Sequence, residues 1–208
     1  MVLAGLGHEY VNPFTRERVL ALDGLDLDVA QGEFLTVVGP SGCGKSTLLG
    51  ILAGLLRPTR GAVLVDGRPV KGPGHDRGVV FQEFAILPWR TVERNIAHGL
   101  EIQRVDRSER AATVRRFAVD AQTRITLQEE LNTIAQATGK TILFVTHNVE
   151  EAVFLGDRCC VLSRRPGRVK TLVPIDIPRA RRTWTLFTSD PAFSRIKDHV
   201  LRLVREEV

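Results

Sequence analysis

The stretch EFLTVVGPSGCGKSTLLGILAGLL, residues 33–56, determines the fold class of this 208-residue chain. Residues 33–38 are apolar and partly β-branched, which predicts a buried strand, and the glycines of residues 39–44 then break the chain before a helical pattern begins at Lys45. A proline disfavours the α conformation in the residue before it, so we expect the helix to stop just before Pro58. The stretch therefore predicts a strand, a glycine loop and a helix in succession.

Residues 39–46 match the pattern G-x-x-x-x-G-K-[ST] of a phosphate-binding loop. Glycines let backbone N–H groups and the positive end of the helix approach a polyphosphate. Lys45 would reach the terminal phosphates, and the Ser46 hydroxyl is placed to coordinate Mg²⁺, a cation that prefers oxygen ligands. A glycine-rich turn that binds nothing is the alternative. The candidate nucleotide-binding residues of the loop are Gly39, Pro40, Ser41, Gly42, Cys43, Gly44, Lys45, Ser46 and Thr47.

Strands and helices alternate over most of the rest of the chain, which favours a mainly parallel sheet covered by helices. Residues 107–118 are too basic for an assignment, and Asp190 is expected to cap a final helix with Pro191 at its first position. The acidic pairs at 129–130 and 150–151 are expected on solvated helix faces. Apolar patterns predict strands over 61–66, 78–81, 142–145 and 159–162, and helices over 91–100, 121–138 and 148–155, with 142–145 fully buried.

The composition, 43% hydrophobic and 25% charged, is that of a globular protein with one domain. No apolar run approaches the roughly 18 residues of a membrane span, and residues 1–10 lack the pattern of a secretory signal, so we expect a cytosolic protein. The 3 Cys include no CxxC pair, which argues against zinc or a disulfide framework. Seven Lys and Arg crowd into residues 164–182, where they could face nucleic acid, phosphate or lipid headgroups, or form a solvated basic surface.

Three segments of the chain resemble the ATP-binding subunits of ABC transporters. Residues 32–67 are similar to that family almost throughout, residues 78–96 (GVVFQEFAILPWRTVERNI) resemble its Q-loop region, and residues 141–169 (TILFVTHNVEEAVFLGDRCCVLSRRPGRV) resemble its switch-histidine segment. The resemblance implies an α/β P-loop NTPase fold with a three-layer core and a mainly parallel sheet. It also implies ATP and Mg²⁺ as cofactors.

The same resemblance implies roles for residues outside the loop. His147 would act in catalysis by contacting the γ-phosphate, and Gln82 would bind Mg²⁺ or its water; a structural histidine and an ordinary loop amide are the alternatives. Asp120 looks like the D-loop aspartate of the dimer interface, although it also suits a helix N-cap. Tyr10 matches the aromatic residue that stacks on adenine, with Phe14 as second choice and a core aromatic as the alternative.

Three shorter segments are similar to the nitrate, sulfonate and taurine import branch of the family. They are GEF at 32–34, LPW at 87–89 and TSDPAFSRIKDHVLRLVREE at 188–207. The resemblance implies an energy-coupling subunit that hydrolyses Mg-ATP to drive solute uptake. Its partners would be membrane permease subunits, a second ATP-binding subunit in a homodimer and, indirectly, a solute-binding protein, with no nucleic acid. Such a subunit would lie in the cytoplasm, peripheral on the inner face of the membrane.

The chain departs from the family pattern near 107–120, where RSERAATVRRFAV runs directly into DAQTR. The family places an LSGGQ-type signature in a helical subdomain there, followed by an apolar strand that ends in Asp-Glu. The chain contains neither, so we interpret residues 1–208 as one nucleotide-binding domain with an internal deletion and its helical subdomain largely missing. Because the missing glutamate is the general base, turnover should be slight. The alternatives are a non-hydrolysing nucleotide-binding module and a P-loop enzyme acting on nucleic acid.

Overall fold

The computed structural model describes residues 1–79, 87, 89–119 and 124–207. Gln82, Asp120 and residues 80–81 of the predicted strand 78–81 lie outside the described residues, and residues 78–79 are not in a strand. The chain divides into two compact units, a larger one of Met1–Arg77 with Gln128–Val208 and a smaller one of Gly78–Leu127.

Strands and helices are numbered in chain order. The strands are β1 (Val2–Val11), β2 (Arg18–Asp28), β3 (Phe34–Val38), β4 (Arg60–Val65), β5 (Arg68–Pro69), β6 (Ile142–Val145), β7 (Arg158–Leu162) and β8 (Val169–Pro174). The α-helices are α1 (Lys45–Leu52), α2 (Val92–Ile102), α3 (Arg107–Val119), α4 (Arg124–Thr138), α5 (Val149–Leu155), α6 (Trp184–Ser189) and α7 (Pro191–Arg205).

The larger unit contains two four-stranded sheets. The first has the order β2-β1-β4-β5 and is antiparallel throughout. The second has the order β6-β3-β7-β8, in which β3 pairs in parallel with β6 and β7 while β8 runs antiparallel to β7. The second sheet is mainly parallel, as expected, because β3 pairs in parallel with both of its neighbours, whereas the first sheet is antiparallel. Neither β1 nor β2, which form the longest antiparallel pair, was predicted from the sequence.

The predicted strands 61–66, 142–145 and 159–162 are confirmed as β4, β6 and β7. The expectation that residues 142–145 are fully buried is wrong, since all four have intermediate exposure. By contrast, all five residues of β3 are buried. The apolar run ILFV is therefore the sequence of a strand at the margin of the core rather than at its centre.

Helix α1 ends at Leu52, earlier than the expected stop before Pro58. Gly54 has a φ of +74°, and its N–H donates to the Ile51 carbonyl at 2.9 Å. A glycine in the left-handed region just past the last helical residue is a common C-terminal cap. Gly54, rather than the proline, was the stop signal in the sequence.

The predicted helices 91–100, 121–138 and 148–155 are confirmed within a few residues as α2, α4 and α5. The cap of the final helix is confirmed as well, because the Asp190 side chain accepts a hydrogen bond from the Ala192 N–H at 2.7 Å. Phe193 and Val200 on α7 are buried in the core that α7 forms with α5, β3 and β7. Helix α3 covers residues for which the sequence allowed no assignment.

The smaller unit is built around the helix pair α2 and α3. Thr91 caps α2 by accepting a hydrogen bond from the Arg94 N–H, and Arg90 forms an ion pair with Glu101 at 2.6 Å. The Asn95 amide binds the Leu87 carbonyl at 3.2 Å, which ties the segment before the helix to its first turns. Within the described ranges, no helix combines the length and apolarity that a membrane crossing requires.

Candidate nucleotide-binding site

The glycine loop joins β3 to α1 in a conformation that requires glycine. Gly44 has a φ of +101°, and a Cβ atom there would lie 2.5 Å from the Leu22 side chain and 2.8 Å from the Ala21 carbonyl oxygen. A Cβ on Gly39 would lie 2.8 Å from the Cys43 sulfur. The loop therefore packs directly on β2 at Gly44, and neither Gly39 nor Gly44 leaves room for a larger side chain.

The Lys45 ammonium lies against this loop. Its Nζ donates hydrogen bonds of 2.8 Å to the carbonyl oxygens of Gly39 and Pro40. The Cys43 sulfur lies 3.7 Å from the same nitrogen, but Cys43 is 1% exposed and belongs to the core. Any contact of Cys43 with a ligand would therefore involve its backbone. Ser46, in contrast, is exposed.

Tyr10 of β1 lies beside the first turn of α1. Its hydroxyl oxygen is 3.2 Å from the Thr47 hydroxyl oxygen, and its ring meets the His8 ring edge to face with centroids 4.5 Å apart. Tyr10 is 45% exposed, which is inconsistent with the alternative of a core aromatic. Phe14, the second choice, is 93% exposed in the turn that follows β1.

One cavity of about 230 Å³ collects most of these residues. Its walls come from the glycine loop and α1, from β1 and β2, and from the loop between β7 and β8. It contains two cationic side chains, Lys45 and Arg165, and no carboxylate from the described part of the chain. All of the polar lining except Arg165 was predicted from the sequence. The lining residues are Tyr10, Val19, Ala21, Gly42, Gly44, Lys45, Ser46, Thr47 and Arg165.

His147 follows β6, as predicted, and is exposed. The parallel register pairs Val145 with Val37, and the Thr146 N–H donates to the Val37 carbonyl at 3.1 Å. The carboxyl ends of parallel strands meet at the same edge of a sheet, where open α/β sheets bind their ligands. His147 and Gly39, each two residues past this pair, therefore leave the sheet at the same edge.

A buried hydrogen-bond network holds the turn around His147. The Thr146 hydroxyl donates to Glu151 at 2.7 Å and accepts from the Asn148 N–H at 3.0 Å, while Gln128 donates to the other Glu151 oxygen at 2.9 Å. Thr146 is 2% exposed, and Glu151 is 9% exposed. The residues on both sides of His147 are therefore fixed in position while His147 itself remains open to ligand.

The expectation that residues 150–151 form a solvated acidic face is wrong for Glu151, because its carboxylate accepts from two buried donors. Glu150 is exposed, as expected. A signal for this difference existed in the sequence, since Asn148 and Glu151 have the spacing of a capping box. Asn148 does cap α5, accepting from the Glu150 N–H at 2.8 Å.

The basic stretch 164–182 does not form one surface. Four of its seven cationic side chains are paired with carboxylates or buried within the larger unit, although the paired Arg168 remains exposed, and Arg164, Arg165 and Arg181 are exposed without an ion pair among the described residues. The interpretation as a continuous patch for nucleic acid or lipid therefore loses its basis. Arg168 pairs with Asp23, Lys170 with Glu206 and Glu207, Arg179 with Asp157, and Arg182 is buried against backbone carbonyls.

Comparison with known proteins identifies relatives over nearly the whole chain. MJ0412 of Methanocaldococcus jannaschii, an uncharacterised ABC transporter ATP-binding protein, is 41% identical over 240 residues, which cover 94% of this chain and 88% of the relative. The aliphatic sulfonates import ATP-binding protein SsuB of Bacillus licheniformis is 36% identical, covering 87% of this chain and 86% of the relative.

The solved dimeric structure of MJ0796, a bacterial ABC transporter cassette, superposes with a TM-score of 0.67 at 22% identity, covering 85% of this chain and 99% of that one. This likeness confirms the predicted P-loop fold. The model of the ABC transporter family matches residues 22–150, a range that contains the glycine loop, β6 and His147. On the strength of that match and of the relatives, the chain belongs to the ABC transporter family, among its ATP-binding proteins.

Proposed function

We propose that this chain is the ATP-binding, energy-coupling subunit of an ABC importer. The observation that carries the proposal is the cavity in which an aromatic ring, a glycine loop, a lysine and an exposed hydroxyl lie together. Tyr10 offers a flat apolar face for adenine, and residues 42–47 offer N–H groups and the positive end of α1 for phosphates. Lys45 would exchange its contacts with loop carbonyls for the terminal phosphates.

Mg²⁺ fits this site as an ion coordinated mainly by the phosphate oxygens of the nucleotide and by water. No cluster of three or more His, Cys, Asp or Glu side chains suited to a metal occurs among the described residues. Mg²⁺ in nucleotide sites keeps several waters and takes phosphate oxygens with one or two protein ligands, so the exposed Ser46 hydroxyl in the cavity wall suits it. Bound there, the ion would neutralise phosphate charge; Gln82 is proposed as its second protein ligand.

We assign His147 to the γ-phosphate end of the site, because it leaves the sheet at the same edge as the glycine loop and its neighbours are held by Glu151. A neutral or protonated imidazole there can donate a hydrogen bond to a phosphate oxygen. Asp120 remains the proposed contact to a second ATP-binding subunit.

Among importers, the sulfonate and taurine branch is the proposed placement. One relative at 36% identity is an aliphatic sulfonates import protein, and another at 37% is the taurine import ATP-binding protein TauB of Burkholderia pseudomallei. This placement suggests the proposed partners: membrane permease subunits, a second copy of the chain and, through the permease, a solute-binding protein. The proposed location is the cytoplasmic face of the membrane.

We also propose that the chain has an internal deletion near residues 107–120. The lengths of the aligned regions support this. The match to MJ0412 covers 94% of this chain, about 196 of its 208 residues, but extends over 240 positions. About 44 matched positions therefore have no counterpart in this chain. The intact mass of the purified protein tests the deletion. A mass of 23.1 kDa would support it, with ATP binding but slight hydrolysis, whereas a mass several kDa greater would contradict it.

The nucleotide site itself is tested by Lys45→Ala, with Lys140→Ala as matched control because Lys140 is exposed and lies outside the cavity. Isothermal titration with Mg-ATP should show a loss of affinity of about 100-fold for Lys45→Ala, since a charge-assisted phosphate contact contributes about 1.5–3 kcal/mol. The control should bind like the wild type. Unchanged affinity in Lys45→Ala would remove the basis of the proposal.

A further inference from the structure

The loop between β7 and β8, residues 163–168, rests directly on the glycine loop. The Gly167 N–H donates to the Ala21 carbonyl at 2.9 Å, and the Gly167 carbonyl accepts from the Asp23 N–H at 3.0 Å. A Cβ atom on Gly167 would lie 2.1 Å from the Cys43 carbonyl oxygen. Glycine is thus required at 167 to let this loop meet β2 and the phosphate-binding loop together.

The interior of the same loop is fixed by Ser163. Its hydroxyl oxygen lies within hydrogen-bond distance of the carbonyl oxygens of Arg164 and Pro166, at 3.0 and 3.1 Å, and accepts from the Arg168 N–H at 3.0 Å. The Arg168 side chain pairs with Asp23 of β2. Because both ends of the loop are anchored, the position of Arg165 relative to the cavity is set by the fold.

Arg165 lies in the wall of the nucleotide cavity, and its neighbour Arg164 does not. Within the described residues, no hydrogen bond or ion pair engages the Arg165 guanidinium, while Arg168, which lies outside the cavity wall, has Asp23 as its partner. A guanidinium in a wall without carboxylates, beside Lys45, makes this part of the cavity attractive to an anion.

We propose that Arg165 is a nucleotide-binding residue that contacts the phosphates of the bound nucleotide. The inference rests on the proposed function, since it requires the cavity to hold a nucleotide. A planar guanidinium matches phosphate oxygens in a two-pronged hydrogen bond, whereas Lys45 acts as a point charge. Arg165 thus gives the chain a second cationic phosphate contact, from a loop other than the glycine loop.

The test compares Arg165→Gln with Arg164→Gln, which removes the same charge one residue away, outside the cavity. Isothermal titration would use ATP, ADP and adenosine, each with Mg²⁺ at low salt. Arg165→Gln should weaken ATP and ADP binding by about tenfold and leave adenosine binding unchanged, because only phosphates meet the guanidinium. The difference between Arg165→Gln and wild type should shrink at high salt, where exposed charges are screened.

Each other outcome is decisive. Wild-type ADP and ATP affinity in Arg165→Gln, alongside a loss in Lys45→Ala, would overturn the role of Arg165 while leaving the nucleotide site intact. An equal loss for adenosine would mean that the guanidinium stacks on the base, which also overturns the phosphate contact. An equal loss of ATP and ADP affinity in Arg164→Gln would mean that the effect comes from the net charge of the protein, which also overturns a direct contact. If the wild type bound none of the three ligands, both the proposed function and this inference would fail.

Discussion

The two neighbours of β3 in the second sheet differ sharply. On one side, which we call the closed side, β7 has four buried residues out of five, pairs with β8 and is covered by α7. On the other, the open side, β6 has four residues of intermediate exposure, and no described strand of the larger unit pairs with its outer edge. Both strands run parallel to β3, so the difference lies in the elements that cover each strand.

Both β6 and β7 lie in the segment 141–169 that resembles the family, so the resemblance does not distinguish the two sides. In the chain, β6 of the open side follows α4. An unpaired strand edge exposes N–H and C=O groups and invites association. The glycine loop packs against Leu162 of the closed side and against Ala21 and Leu22 of β2, whereas β6 has an outer edge that no described strand of the larger unit pairs with.

The largest expected effect comes from disrupting the closed side at Arg182. This residue is 4% exposed, and its guanidinium donates to the carbonyl oxygens of Gly156 at 2.6 Å, Ile177 at 2.7 Å and Phe154 at 3.2 Å. Burial lowers its pKa to about 10, so it remains charged at neutral pH. Arg182→Ala should lower the free energy of unfolding by about 3–5 kcal/mol, measured by urea denaturation.

Arg181→Ala is the matched control, because Arg181 is adjacent and exposed. It should change the free energy of unfolding by about 0.5 kcal/mol or less. If the two variants were equally stable, the end of α5 and the start of β7 would not depend on the buried guanidinium, and the closed side would be less tightly fixed than its burial indicates.

Amide hydrogen exchange measures the contrast between the two sides without any mutation. In a parallel sheet, alternate residues of a strand hydrogen-bond to the strand on one side, and the residues between them hydrogen-bond to the other side. The N–H groups of Ile142 and Thr146 donate toward β3. The amides of Leu143 and Val145 therefore face the open edge. They should exchange about 100-fold faster than the amides of β3, a difference of about 2.7 kcal/mol in opening free energy. Equal protection would mean that the edge of β6 is covered.

Local patterns in the sequence predicted the parts of the fold that short-range chemistry controls. The glycine loop, the cap at Asp190 and the end of α4 at residue 138 are of this kind, and each was found. The exposure of β6 was not predictable, since an apolar run reads the same at the centre and the edge of a sheet. The place of Arg165 in the cavity was not predictable either, because it depends on Gly167 meeting β2, a contact between segments far apart in the chain.

A smaller effect is expected at Glu151, which anchors the turn after β6 on the open side. Glu151→Ala removes the acceptor of the Thr146 hydroxyl and the Gln128 amide, and leaving buried donors unsatisfied costs about 1–3 kcal/mol. Glu150→Ala, which removes an exposed carboxylate 3.7 Å from Lys197, should cost about 0.5 kcal/mol. Thermal unfolding of both variants checks the contrast. A smaller loss in Glu151→Ala than in Glu150→Ala would contradict the network.

The smallest expected effect is a pH dependence of the closed side, centred on Asp157. Burial opposes ionisation of this carboxyl, but hydrogen bonds from Arg179 at 2.7 Å and from the Phe34 N–H at 2.9 Å, with the nearby guanidinium charges, hold its pKa below the usual 3.8. A pKa lowered by folding stabilises the folded state above the unfolded pKa of about 3.9, and this stability is lost as pH falls through the folded pKa. The window therefore lies below about pH 5.

Asp157→Asn should flatten the fall of unfolding free energy in that window, because an amide does not titrate, and should leave the pH dependence above it unchanged. The partly exposed carboxylate is screened by solvent, which keeps the effect small. Asp176→Asn, at an exposed position beyond β8, serves as control. Urea denaturation at several pH values between about 2 and 7 measures both. If Asp157→Asn kept the acid sensitivity of the wild type, the link between β3 and the Arg179 segment would not run through this carboxylate, and the closed side would owe its stability to apolar burial and the buried Arg182.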